Sequence, residues 1–307
     1  MKDKIHIVMA ADGAYWKGLE VAKASMIASC SDPERLAFHL FGEDENVVSR
    51  IRTDFGTYKG SPMAFLRLYL GELLPDVDWV VYSDVDTLWY RDVVELWALR
   101  DESKMIQCVT DLPSTVLVFK KWCEMHRVVL PQQAYSHYMC SGICIINLKR
   151  WRESGLLAKC KEFVARSGCP PYADQDILNA LCHDDCGLLP PWWNVLIPTP
   201  INTQATMTDK GHVAIACVLH LNGVGRCFNR PYEGHVLQYH FWEHVAKGKP
   251  FKRPWSLPFY LQGWMIRLLL PLADAFFRDR VQRYFAYRWL FRKKDFPFEF
   301  RYGGPQI

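Results

Sequence analysis

The sequence predicts an α/β fold, and three stretches predict it. Residues 5–11 (IHIVMAA) form a buried-strand pattern that meets Asp12-Gly13 and then a helical pattern over residues 16–30. Residues 79–82 (WVVY) are a second apolar, β-branched and aromatic run, and it ends at Asp84-Val85-Asp86. Residues 105–109 are a third, ending in Asp111, so several strands deliver an acid at the same kind of end. A strand, a tight turn and a helix at the start of a chain are how nucleotide-binding α/β units begin, and ligands in such sheets sit outside the strands' carboxyl ends.

The 307 residues, half of them apolar, suffice for one large α/β domain with a tail or for two modest domains. A net charge of +4 does not imply nucleic acid as a partner. Eleven cysteines are scattered, and Met1 leads straight into strand-like residues with no secretory leader. That combination reads as a reducing, cytoplasmic compartment with free thiols. Cys182, His183 and Cys186 lack a second ligand pair at the spacing of structural zinc. No apolar run reaches the roughly 20 residues that a membrane span needs. The longest candidate, residues 257–277, is interrupted by Gln262, Arg267, Pro271 and Asp274.

Taken in order, Asp12 stands where ligands sit in such sheets, although an aspartate in a turn is also ordinary. Neither G-x-G-x-x-G nor a Walker loop is present, so dinucleotide and P-loop readings have no local support. Residues 36–41 (LAFHLF) read as a strand and residues 43–54 as a helix. Residues 61–74 (SPMAFLRLYLGELL) read as an amphipathic helix, with Ser61 as cap and Pro62 in the first turn. Arg67 interrupts its apolar surface, to reach solvent or to meet a phosphate. Residues 92–99 are helical, whereas residues 113–137 mix aromatic and basic residues irregularly, as insertions that wall a substrate cleft do. Residues 140–148 (CSGICIINL) are strand-like and residues 149–165 helical. The helix over residues 172–182 opens on Asp174, Gln175 and Asp176; acids there complement the macrodipole, but capping does not account for all three polar groups.

Two stretches carry the chemistry. In an extended chain, residues i and i+2 point to one side, so Asp84 and Asp86 can face one point. A plain turn is the alternative. Two converging carboxylates with little positive charge nearby suit a hard divalent ion, Mg²⁺ or Mn²⁺, which commonly also holds a substrate phosphate. Residues 217–225 then lead to His220, followed by two glycines and Arg226. Imidazole is a neutral nitrogen ligand acceptable to Mn²⁺ and less so to Mg²⁺, glycine admits close backbone approach, and arginine is a fixed cation suited to phosphate. A structural histidine is the ordinary alternative.

With Asp12, Arg67, Asp84, Asp86, Asp174, Gln175, His220 and Arg226 in this order, the chain resembles glycosyltransferase family 8, in particular the bacterial lipopolysaccharide galactosyl- and glucosyltransferases. Four stretches between residues 5 and 230 carry the resemblance: IHIVMAAD, FLRLYLGELLPDVDWVVYSDVDTLW, SGICIINLKRWRESGL with YADQDILNAL, and HLNGVGRCF. The resemblance implies a single GT-A domain over residues 1–250, Rossmann-like in its nucleotide-binding half and with a mixed central sheet. It also implies a UDP-sugar donor, a saccharide or glycolipid acceptor, a metal cofactor, Mn²⁺ with Mg²⁺ as the alternative, and transfer of a hexose with retention. By the same resemblance Asp84, Asp86 and His220 hold the metal, Asp12 and Ala10 the uracil, Arg67 the donor sugar or phosphate, and Gly223 and Arg226 the diphosphate. Asp111, Asp174 and Gln175 surround the donor sugar. The chain departs from the family pattern at Ala14, at Cys140-Ser141 and at Cys227-Phe228.

Beyond residue 250 the composition changes: Phe276, Phe277, Phe285, Trp289 and Phe291 alternate with Arg278, Arg280, Arg283, Arg288, Arg292, Lys293 and Lys294. Such a mixture suits a helical extension, residues 251–307, lying on an anionic membrane surface, peripheral to its inner face; a helix packed on the domain is the alternative. Two rivals stand beside the transferase. SDVDTL resembles the Asp-x-Asp-x-Thr of haloacid-dehalogenase phosphatases, although that motif normally follows the first strand and carries a glycine before the threonine. The other is a UDP-sugar-binding protein without turnover.

Overall fold

The computed structural model describes residues 3–13, 15–42, 44–196, 217–221 and 246–248. Their elements run β1 (Ile5–Ala10), α1 (Tyr15–Ser29), β2 (Leu36–Phe41), α2 (Glu45–Phe55), α3 (Leu70–Leu73), β3 (Trp79–Ser83), β4 (Thr87–Trp89) and α4 (Val93–Trp97). They continue β5 (Ile106–Thr110), α5 (Pro113–Met125), α6 (Gln133–Ser136), β6 (Met139–Asn147), α7 (Leu148–Glu153), α8 (Leu156–Ser167), α9 (Ala173–Leu181), β7 (Cys186–Leu188), β8 (Val195–Leu196) and β9 (Val218–His220).

Six strands form one mixed sheet in the order β2-β1-β3-β6-β5-β7. β6 pairs antiparallel with both β3 and β5, while the other pairings in this sheet are parallel. β1, β3 and β5 therefore end on one side, which brings Asp12, Asp84 and Asp111 to a common edge, and the reversed β6 begins at that edge. Strand alternation divides the core: Val8, Val80, Tyr82, Cys144 and Ile146 face one layer with Phe65, Phe163 and Ile177, while Ile7, Met9, Val81, Ile143 and Ile145 face the other with Leu19, Met26 and Trp89. A small sheet, β4-β9-β8, joins the second layer.

Three elements differ from the sequence reading. Residues 61–74 are not an amphipathic α-helix: Met63–Tyr69 is a 3₁₀ turn followed by the short α3. This segment packs against α2, α8 and α9 and is buried on nearly every side, Arg67 included, so it has no solvent face to be amphipathic about. The helix expected over residues 149–165 is broken into α7 and α8 by Gly155, at φ 63°. The insertion read as irregular contains α5, whose Thr115, Phe119, Trp122 and Cys123 face inward at helical spacing beneath an outer surface of mixed polarity. No helix among the described residues is long and apolar enough to cross a membrane. The extension over residues 251–307 lies outside the described residues.

Candidate active site

Asp84 and Asp86 converge as expected, but through a turn and not through strand alternation, because β3 ends at Ser83. Gly142 of β6 accepts the Asp84 amide at 2.7 Å, and Thr87 Oγ1 donates to the Asp84 carbonyl at 2.8 Å. On the far side the Leu221 amide donates to the Asp86 carbonyl at 2.7 Å. Backbone pairing also delivers His220: β9 runs antiparallel to β4, with His220 opposite Thr87. One ligand atom each from Asp84, Asp86 and His220 lies within 4.8 Å of the others. His220 Nε2 is 3.1 Å from Asp86 Oδ1 and 3.7 Å from Asp84 Oδ2.

Arg67 neither reaches solvent nor stays idle. It is buried, lies over the Tyr82 ring at 3.9 Å, and forks between two acids: Asp84 at 3.1 Å and Asp174 in a close ion pair. Asp174 arrives at the start of α9, immediately after Ala173, a buried non-glycine residue at φ 50°. A left-handed alanine costs about 1–2 kcal/mol, which the packing of α9 must over-determine.

The next residue on α9 belongs to a second cluster, joined by side-chain hydrogen bonds. Gln175 Nε2 donates to Asp111 at 2.6 Å and to the Tyr138 hydroxyl at 3.2 Å, while its Oε1 accepts from the Ser141 amide at 3.0 Å. Both ends of the amide are thereby committed. Asp111 is held by the Leu112 amide at 2.6 Å and by Thr115 Oγ1 at 3.3 Å. Tyr138 donates in turn to Asp176, which also accepts the Tyr172 amide at 2.7 Å. Asn179 bridges the Met139 backbone and locks α9 to β6.

Asp12 follows β1 at the same edge and accepts a hydrogen bond from Ser61, whose Oγ also accepts the Met63 amide at 3.0 Å. Ala10 closes β1 opposite Phe41 of β2. Gly223 and Arg226 lie outside the described residues, as do Ala14 and the Cys227-Phe228 pair. Tyr138, Gly142 and Asn194 escaped the sequence reading of the site. Asn194 meets His220 Nδ1 at 3.0 Å, and nothing in the surrounding PPWWN pattern marks it. Tyr138 stood two residues before a predicted strand, and its place near the strand's entrance was the one available signal.

Among the described residues, three acids, Asp84, Asp86 and Asp174, gather around one arginine, Arg67, and one imidazole, His220. Burial raises the Asp84 carboxyl above its ordinary range, helped by Asp86 and opposed by Arg67 and His220; burial likewise raises Asp174, opposed by Arg67. Burial disfavours charge on His220, yet Asp86, the Cys140 thiol and Asp84 together lift its pKa well above the ordinary histidine value. Acids that draw a proton onto a buried imidazole are short of positive charge. Two carboxylates and one imidazole therefore fit a dication, and the nitrogen in the set fits Mn²⁺ better than Mg²⁺.

The profile of glycosyl transferase family 8 matches residues 50–226. A curated relative, the probable galacturonosyltransferase-like 4 of Arabidopsis thaliana, is 22% identical over 192 residues, covering 53% of this chain and 55% of that protein. The chain thus spans about half the length of that relative. Among solved structures, the galactosyltransferase LgtC in complex with donor and acceptor sugar analogues superposes with a TM-score of 0.62 at 22% identity, covering 84% of this chain and 99% of that one. The bifunctional glycosyltransferase WbbM in its apo form gives 0.57 at 17% identity, covering 85% and 52%. Mouse xyloside xylosyltransferase 1 gives 0.54 at 14%, covering 71% and 98%. At such identities the likeness is one of fold, and the mixed sheet is that of LgtC.

Proposed function

The chain belongs to glycosyl transferase family 8, and from that premise we propose that it moves a hexose, galactose or glucose, from a UDP-sugar to a saccharide acceptor with retention of configuration. The observation that carries this reading is the convergence of Asp84, Asp86 and His220 within 4.8 Å at the edge where the parallel strands end. Family membership leaves the phosphatase alternative without support.

When bound there, Mn²⁺ supplies Lewis-acid charge to the departing diphosphate. This chain's residues do the rest. Asp84, Asp86 and His220 hold the ion, and Arg226 with Gly223 contacts the diphosphate. Asp12 and Ala10 hold the uracil. Arg67 sets the position of Asp84 and Asp174 together, since it bonds to both. Asp111 and Gln175 orient the donor sugar.

Same-face attack accounts for retention. The bond from the anomeric carbon to the phosphate oxygen breaks, the bond to the acceptor oxygen forms on the same face, and the acceptor proton passes to the leaving phosphate. Two observations favour this route over a double displacement. Gln175 is a neutral amide held at both ends, and Asp174 is ion-paired with Arg67, so neither is a free nucleophile.

The acceptor is lipopolysaccharide or another cell-surface glycan. Residues 1–250 form the catalytic unit, and the basic, aromatic residues 251–307 meet an anionic membrane on its cytoplasmic face. The test is a panel of UDP-sugars with Mn²⁺, followed by UDP release with and without lipid-linked saccharide acceptors. One UDP-hexose should release UDP faster when acceptor is added. Tight UDP binding with no release from any donor would leave a binding protein and sink the proposal.

A further inference from the structure

The geometry points to Asn194 as the positioning residue that makes His220 a metal ligand, with Gly142 providing the space that the imidazole needs. The inference rests on the dication reading given above. A neutral imidazole has one protonated nitrogen and one lone-pair nitrogen, and a carboxamide oxygen can only accept. Asn194 Oδ1 at 3.0 Å favours the proton of the neutral ring on His220 Nδ1, which leaves Nε2, the nitrogen turned to Asp86 and Asp84, to bind an ion. Metal-bound histidines regularly donate their second nitrogen in this way, which fixes the ring and its tautomer.

Asn194 is placed for this by backbone on both sides. It follows the 3₁₀ turn Pro191–Trp193 and precedes β8, which pairs parallel with β9, Leu196 beside His220. Its side chain is 2% exposed, and its Nδ2 has no partner among the described residues. A buried amide nitrogen without a partner is unfavourable, and an apolar residue would avoid that penalty. Contact with His220 is what the carboxamide supplies and an apolar side chain could not.

The backbone beside the ring is equally constrained. A Cβ on Gly142 would lie 2.4 Å from His220 Cε1, 2.6 Å from Nδ1 and 3.1 Å from Asp84 Oδ2. Position 142 thus admits no side chain while His220 stands where it does. The imidazole is held by an amide at Nδ1 and closed in by a bare backbone against Nδ1 and Cε1. Free of that clamp the ring could turn its lone pair away, leaving a site of oxygen ligands that no longer prefers Mn²⁺ over Mg²⁺.

The test uses the full chain with UDP present and titrates Mn²⁺ and Mg²⁺ separately by calorimetry. Asn194→Leu should weaken Mn²⁺ binding by about 10–100-fold with far less effect on Mg²⁺. Asn194→Asp, which keeps an acceptor oxygen, should hold the ratio of the two affinities within about threefold of the parent. Electron-spin-echo spectroscopy of bound Mn²⁺ should show an imidazole nitrogen in the parent and in Asn194→Asp, and lose it in Asn194→Leu. Should Asn194→Leu fail to fold, Gly142→Ala takes its place with the same expected fall in ratio. An Asn194→Leu or Gly142→Ala protein that keeps the parental ratio and the nitrogen signal, or that loses both ions equally, overturns the inference. A parent protein that takes up no Mn²⁺ fails differently: it removes the metal centre itself.

Discussion

The two ends of the site are built by different means. At Asp84, Asp86 and His220, backbone pairing with β6 and with β9 and the residue after it brings two carboxylates and an imidazole together in a group that could hold a metal ion. At Gln175, side chains bond to one another: Asp111, Tyr138, Ser141 and Asp176 satisfy each other within the described residues. The first end gathers ligand atoms with room for an ion, and the second is satisfied among its own groups. Binding strength should therefore depend on the first and rigidity on the second.

The strongest way to break that contrast is Asp86→Asn. Turnover should fall by about 10³-fold or more, since charge stabilisation of the leaving group goes with it. The same substitution should abolish thermal stabilisation by Mn²⁺, which for the parent amounts to about 2.7 kcal/mol at 100 times its dissociation constant. Scanning calorimetry with and without the ion reads this directly; an undiminished shift in the variant would mean that the ion binds elsewhere.

Next comes Arg67→Leu. Arg67 and Asp174 are both nearly buried, and removing one partner of such a pair leaves an uncompensated charge at a cost of about 3–5 kcal/mol. Urea denaturation should show the loss. A change under about 1 kcal/mol would mean that the acids, not the arginine, set the local charge balance.

The smallest effect sharpens the end around Gln175. Burial pushes the Asp176 carboxyl up to about 7 against the bonds from Tyr138 and Tyr172, whereas an unfolded aspartate titrates near about 4. Between these values the folded chain keeps a proton that the unfolded chain has lost. This contribution is fully present below the lower value and is lost as pH rises through the upper one. Asp176→Asn should flatten the fall in melting temperature across that window by a few degrees while leaving Mn²⁺ affinity unchanged. A parallel fall in both proteins would place the titration elsewhere.

The same contrast explains what could be read from the chain beforehand. β1, β3 and β5 announced themselves as apolar runs ending in acids, and the order of Asp12, Asp84, Asp86, Gln175 and His220 carried the family resemblance. The short strands β4, β7 and β8 did not, because two or three residues hold no periodicity. Arg67 was read as bound for solvent or phosphate, since a sequence does not show that Asp174 waits for it across the fold. Asn194 was silent for a related reason: its role exists only through β8 lying beside β9, a pairing between segments far apart in the chain.

The turn at Asp84-Val85-Asp86 hangs from two sheets at once, tied by one amide to the large sheet through Gly142 and by one carbonyl to the small sheet through Leu221. An ion held by these carboxylates and His220 would therefore act as a rivet, joining side chains that the large sheet positions at one end of the turn and the small sheet at the other.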